Sequence, residues 1–220
     1  MRARRNGTGT GAVAAAAAVA AALLLAGCGG DDGGSSSGDK IEGARSGDDE
    51  PSAEPSEKDP GAPRFDLPDD VKVEVAEDAT GDGQKDAILR DHGYALMAQQ
   101  EAYAATEATP NFSRYWAGEA AATFEADFAE YRKDGVTITG LDTFYFREVT
   151  SVQDGRAVVA YCEDQSGAYL KNAESGKVDK TPTTLNSYID ARATMEKSGG
   201  GWKVVDYQAT RGSKECRDEA

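Results

Sequence analysis

A single histidine, His92, three cysteines and two tryptophans are all that 220 residues offer of those types. One histidine excludes the paired-histidine spacings of zinc sites and leaves a Ser-His-Asp triad only if His92 serves it. No nucleophile-elbow or phosphate-loop pattern is present. No Cys-x-x-Cys spacing occurs, so a thioredoxin-like redox pair is excluded. Seven prolines against 25 glycines, with no repeat, exclude collagen. Basic residues are also scarce, 24 against 39 acidic, for a formal net charge of -15. A surface of that sign repels phosphate backbones, so no nucleic-acid partner is expected.

The apolar run Ala12–Ala26 has fifteen residues, ten of them alanine. It falls short of the roughly 20 residues that span a bilayer. Arg2, Arg4 and Arg5 precede it, and basic flank plus short apolar run read as a signal peptide over residues 1–27. The stretch Leu25-Ala26-Gly27-Cys28 resembles a bacterial lipobox. That resemblance implies a diacylglycerol thioether on Cys28 and cleavage before it. Two acyl chains give stable anchoring where one is marginal, at about 0.8 kcal/mol per buried methylene. The expected location is the extracellular face of the cell membrane, with the membrane as partner through the lipid.

Residues 28–64 read as a lipidated cysteine and a tether. Of the 36 residues from 29 to 64, eighteen are Gly, Ser or Pro and ten are acidic. Such a segment buries too little apolar surface to offset its chain entropy.

Residues 65–220 read as one domain. Val71, Val73 and Val75 alternate with polar neighbours as a short strand. Ile88, Ala95, Ala102 and Leu89, Leu96, Tyr103 form an apolar stripe over a helix from about 85 to 107, which Pro110 stops. Gly93 weakens that helix without breaking it. Asn111 or Ser113 can cap a second helix, whose stripe is Ala117, Ala120, Ala121, Phe124, Phe128 and Tyr131, ended by Gly135. Beyond Gly135 the period is two. Strands are expected at 136–139, 142–152, 156–164, 168–172, 177–181, 184–197 and 202–211, with a tight hairpin at Gln153-Asp154-Gly155. In the strand 184–197, Ile189, Ala191, Ala193 and Met195 point one way. Tyr188, Asp190, Arg192 and Thr194 point the other, which is the more polar face. The fold class is α+β, with two to three N-terminal helices on a curved antiparallel sheet.

Several stretches carry a family resemblance: Thr80-Gly81-Asp82 with Lys85-Asp86-Ala87 and Leu89, Gly140, Tyr161-Cys162, Tyr169, Thr181-Pro182-Thr183, and Arg211-Gly212 before Cys216. In that order they resemble the nuclear transport factor 2-like (cystatin-like cone) domain of a group of actinobacterial lipoproteins without an assigned function. The resemblance spans residues 79–216. It implies a cone that often encloses a pocket. Catalytic cones such as ketosteroid isomerases and polyketide cyclases use an Asp base with Tyr or Asp donors. Candidate pocket residues here are Tyr115, Trp116, Tyr145, Tyr188 and Asp190, with Tyr161 and Tyr207 as further donors.

With Cys28 committed to lipid in an oxidising compartment, Cys162 and Cys216 are expected to form a disulfide. Asp78, Thr80, Asp82 and Asp86 stand at calcium-loop spacings, with Gly83 at the turn. Leu89, however, occupies the position that needs a bidentate Glu, and the competing reading is a polar turn that caps the helix. No cofactor and no other metal site is expected, and no catalytic constellation is complete. The expected function is a non-catalytic binding or accessory module of the cell envelope, with an unidentified protein or small-molecule ligand. The alternative is a small-molecule-binding or isomerase- or cyclase-like use of the cone pocket.

Overall fold

A computed structural model of the chain describes residues 61–220. The expected signal peptide, Cys28 and all but the last residues of the expected tether lie outside the described residues. Those described belong to one compact unit, Pro55–Ala220.

Strand β1 (Val71–Val75) comes first. Helix α1 (Gly83–Ala105) opens on Asp82, whose side chain accepts from the amides of Gln84 and Lys85, and closes on Thr106 at φ 56°. Its stripe is buried as the periodicity requires, with Ile88, Leu89, Ala95, Leu96 and Ala102 all inaccessible or nearly so. Gly93 has a packing reason: a Cβ there would lie 2.9 Å from an Arg147 guanidinium nitrogen.

Pro110 does not merely stop α1. It starts a separate short helix, α2 (Pro110–Tyr115), because proline suits the first turn, where its missing amide is unneeded. The cap of α2 is Thr109, which accepts from the Phe112 amide; Asn111 and Ser113, expected to cap the helix of the Ala117–Tyr131 stripe, lie inside α2 instead. Helix α3 (Gly118–Asp134) begins without a side-chain cap and ends on Gly135 at φ 66°.

The remaining strands are β2 (Val136–Gln153), β3 (Arg156–Asn172), β4 (Val178–Asp179), β5 (Tyr188–Ser198) and β6 (Gly201–Arg211). A small helix α4 (Lys214–Asp218) closes the chain. The four segments expected between 136 and 172 are thus two long strands. They bend instead of breaking, at register shifts between Leu141 and Thr143, Tyr145 and Glu148, and Val149 and Ser151. Residues Leu185–Ser187 form a 3-10 turn rather than the start of β5.

The sheet order is β1-β2-β3-β5-β6, with β4 beside the far part of β3. The pairs β2–β3, β3–β5 and β5–β6 are antiparallel, but β1 runs parallel to β2. The expected wholly antiparallel sheet is corrected there, because three helices separate β1 from β2 and return the chain in the same direction.

The core lies between the helices and one face of this sheet. Phe112, Trp116, Phe124 and Phe128 pack there against Val159, Ala191, Met195 and Val204. The Trp116 indole donates to the Ala95 carbonyl at 2.7 Å. On the opposite face, α4 is clipped to β3 by the Cys162–Cys216 disulfide, with Cα atoms 5.5 Å apart. Cys162 faces outward because it is out of phase with the inward series Ala157, Val159 and Tyr161.

Candidate functional site

Extending the inward series of β3 by one more step places Glu163 on the core face, 3% exposed. On the adjacent strand, Asp142 and Phe144 also point inward. A bulge at Phe146, with φ 50°, then shifts the phase, so that Arg147 and Val149 become the inward residues. The two carboxyls therefore meet under the helices, at the base of a cavity of about 570 Å³. Helices α1 and α3 roof it with Gln99, Gln100, Tyr103, Phe124 and Asp127, and β6 contributes Tyr207 and Arg211.

Gln100 donates from its amide to Asp142 Oδ2 at 2.9 Å, and the Gln165 amide donates to Glu163. Asp142 and Glu163 interact directly, carboxyl to carboxyl. Burial first, then the neighbouring Glu163 charge, holds the Asp142 carboxyl well above the usual carboxylate range. Burial also raises Glu163, against hydrogen bonds from Gln165 and Asp142 that favour its ionised form. Two buried carboxyls in contact oppose each other's ionisation, so they titrate as one unit and hold a proton between them beyond the usual carboxylate range. One buried acceptor in the cavity wall, Gln99 Oε1, has no hydrogen-bond donor among the described residues, and Asp142 Oδ1 has none beyond the proton shared with Glu163.

Tyrosines extend this polar network. The Tyr161 hydroxyl bonds with that of Tyr207, and burial raises both phenols. Tyr103 donates to Asp127 at 3.2 Å, and burial raises its phenol as well. Behind Tyr161 lies His92, wholly buried, with ring centroids 4.7 Å apart. Neither His92 nitrogen has a partner among the described residues, and burial followed by the Arg147 charge drives its pKa well below 6.5.

Of the residues expected in a pocket, Tyr207 lines this cavity and Tyr115 a second one. Trp116 is core, and Tyr115 is buried beside it with one side on that second cleft near Arg114 and Gly199. Tyr145 and Asp190 both pair across the strands with Cys162, on the outer face of the sheet. Tyr188 pairs with Asp164 on that same strand. The Tyr145 hydroxyl donates to the Cys216 carbonyl at 2.5 Å, and burial pushes its pKa up to about 12. Asp190 is exposed, as its alternation requires. None of Trp116, Tyr145, Tyr188 and Asp190 touches the cavity, because all but Trp116 lie across the sheet from it.

The residues at calcium-loop spacings are engaged in local contacts. Asp82 caps α1, Asp86 accepts from the Thr80 hydroxyl at 2.6 Å, and Asp78 pairs with Arg147 at 3.3 Å. Among the described residues no group of three or more His, Cys, Asp or Glu is placed to hold a metal ion.

Sequence reasoning missed Asp142, Glu163, Gln99 and Gln100. The signal was there for Glu163, a charge at an inward position of an otherwise apolar alternation. Gln99 and Gln100 likewise stand three and four residues after Leu96 on the buried stripe.

No protein-family profile matches the chain, and no curated protein matches it. Similar solved structures exist. One is a ketosteroid isomerase-like protein from Erwinia carotovora atroseptica, 14% identical, with 60% of this chain and 98% of that chain covered at a TM-score of 0.40. Another is an NTF2-like protein with a cystatin-like fold from Novosphingobium aromaticivorans, 16% identical, with 58% and 81% covered at a TM-score of 0.31. The likeness is one of chain path and assigns no activity. Among the described residues no helix is long and apolar enough to cross a membrane.

Proposed function

We propose that this chain is a lipid-anchored protein of the extracytoplasmic membrane face, whose α+β domain has the nuclear transport factor 2-like cone arrangement and binds a small molecule in the cavity. The observation that carries the binding reading is the cavity itself. At about 570 Å³ it falls within the range of about 300–1,000 Å³ typical of ligand pockets. Its walls combine aromatic and aliphatic surface with buried polar groups whose hydrogen-bonding capacity is unfilled. Unfilled buried acceptors cost about 1–3 kcal/mol each, a cost that a ligand bearing donors removes.

The binding test is ligand-observed NMR of the mature chain against a fragment library, with Ala168→Phe as a blocked control. Ala168 lines the cavity without belonging to the core cluster. Hits that vanish in the Phe variant support the reading. A library without hits, or hits unchanged by the blocked cavity, refutes it.

Anchoring rests on the Leu25-Ala26-Gly27-Cys28 stretch. A Cys28→Ala variant is expected to leave the membrane fraction, and its retention there contradicts the anchor. The paired carboxyls also favour a second reading, acid–base turnover of the bound molecule, since one carboxyl kept protonated beside its partner can serve as an acid. Glu163→Gln would then stop turnover while leaving binding measurable.

A further inference from the structure

Two buried carboxyls and a buried amide oxygen stand together in the cavity wall. Gln99 is 5% exposed and Asp142 6%; Gln99 Oε1 has no donor among the described residues, and Asp142 Oδ1 has none beyond the proton the two carboxyls share. Glu163 adds a third acceptor group in the same wall. Neither carboxyl has an ion-pair partner among the described residues. The two bases at the cavity, Lys72 and Arg211, are both exposed; Arg211 donates to the Asn186 carbonyl at 3.3 Å, and its charge favours the ionised form of both carboxyls without an ion-pair contact to either. The other ionisable neighbours deepen the negative potential or stay neutral. Asp164 stands on the same strand as Glu163, and Asp127 faces in from α3. Tyr103, Tyr131, Tyr161 and Tyr207 are all held in the phenol form by burial.

We infer that the cavity takes a small organic ammonium ion, held by Asp142, Glu163 and Gln99, and that seating it expels the proton the two carboxyls share. The inference rests on the pocket-binding reading and names its ligand class. An ammonium group carries three donors and no acceptor, which matches these acceptor groups. The empty pair with one proton carries a charge of about -1, and two carboxylates with one bound cation carry the same. The exchange therefore brings no net charge into the buried pair. The ammonium keeps its own protons, and the expelled one passes to solvent. Phe124, Ile138 and Ile189 supply apolar surface for the organic body. A bare calcium ion fits poorly, since it takes about 6–8 oxygens and two carboxyls with one amide oxygen supply too few.

The experiment is calorimetry on the mature chain from pH 6 to 8, in buffers of different ionisation enthalpy. The probes are benzylammonium chloride and two controls of its size, benzyl alcohol and sodium benzoate. Benzylammonium is expected to bind with release of about one proton, and its affinity to rise up to about tenfold per pH unit while the pair stays protonated. Asp142→Asn and Glu163→Gln are each expected to abolish proton release and weaken binding at least about tenfold. Using both guards against one of them failing to fold. Benzyl alcohol binding as tightly as benzylammonium, or benzylammonium binding without proton release, overturns the inference and leaves the pocket reading standing. Binding by none of the three also overturns the inference. The pocket reading falls only if the fragment screen fails as well.

Discussion

Replacing both buried acids together, Asp142→Asn with Glu163→Gln, should change how stability depends on pH. The amides keep the side-chain sizes, and their oxygens can still accept from Gln100 and Gln165. In the native domain burial and mutual contact hold the pair's proton. In the unfolded chain the same side chains ionise near their reference values of about 3.9 and 4.3. The pair's contribution is therefore complete below about pH 4 and is lost as pH rises towards the raised native value, at about 1.4 kcal/mol per pH unit for one retained proton. For a domain of about 160 residues that slope is about 3–6 °C of melting temperature per pH unit. The assay is urea or thermal unfolding of both proteins at pH 5, 6, 7 and 8, with the disulfide intact. The variant's profile should be flatter by that slope, and the variant should be the more stable protein at neutral pH. Groups common to both proteins cancel in the difference. Parallel profiles across this range would refute the shared proton, and with it the reasoning about the site's charge.

Breaking the Cys162–Cys216 clip by Cys216→Ser should cost about 4 kcal/mol in the chain-entropy model, read as a lower urea midpoint, because the bridge spans 54 positions. His92 should make the domain acid-sensitive. Its native pKa is depressed, so stability present above the unfolded value of about 6.5 is lost as pH falls, at about 1.4 kcal/mol per unit. Unfolding midpoints of His92→Leu between pH 7 and 5 should lack that loss. Gly140→Ala should destabilise by about 3 kcal/mol or more and speed proteolysis, since φ is 96° there and a Cβ would lie 2.1 Å from the Gly167 carbonyl oxygen.

Much of the scaffold was legible because side-chain periodicity is a local property. The Ile88–Tyr103 stripe, the Phe124–Phe128 stripe and the Ile189–Met195 alternation all bury the expected face. Asp154-Gly155 forms the tight turn its composition requires, with φ 50° and 75°. Helix α2 was less legible, since its six residues are too few for a period and Pro110 reads equally as a stop or a start. The long bent strands were read as pairs of short ones, because bulges interrupt alternation without interrupting pairing.

The candidate site divides along the same line. From the residues alone came the outward direction of Asp190, the acidic surplus and the pairing of Cys162 with Cys216. Each follows from nearest neighbours, composition or counting. Only the tertiary structure brought Asp142 beside Glu163, set Gln99 and Gln100 over them, and put Tyr145, Tyr188 and Asp190 on the far side of the sheet. Those juxtapositions depend on inter-strand register and on where bulges shift the phase. A one-residue change in either moves a side chain to the opposite face, so no window along the chain can encode them.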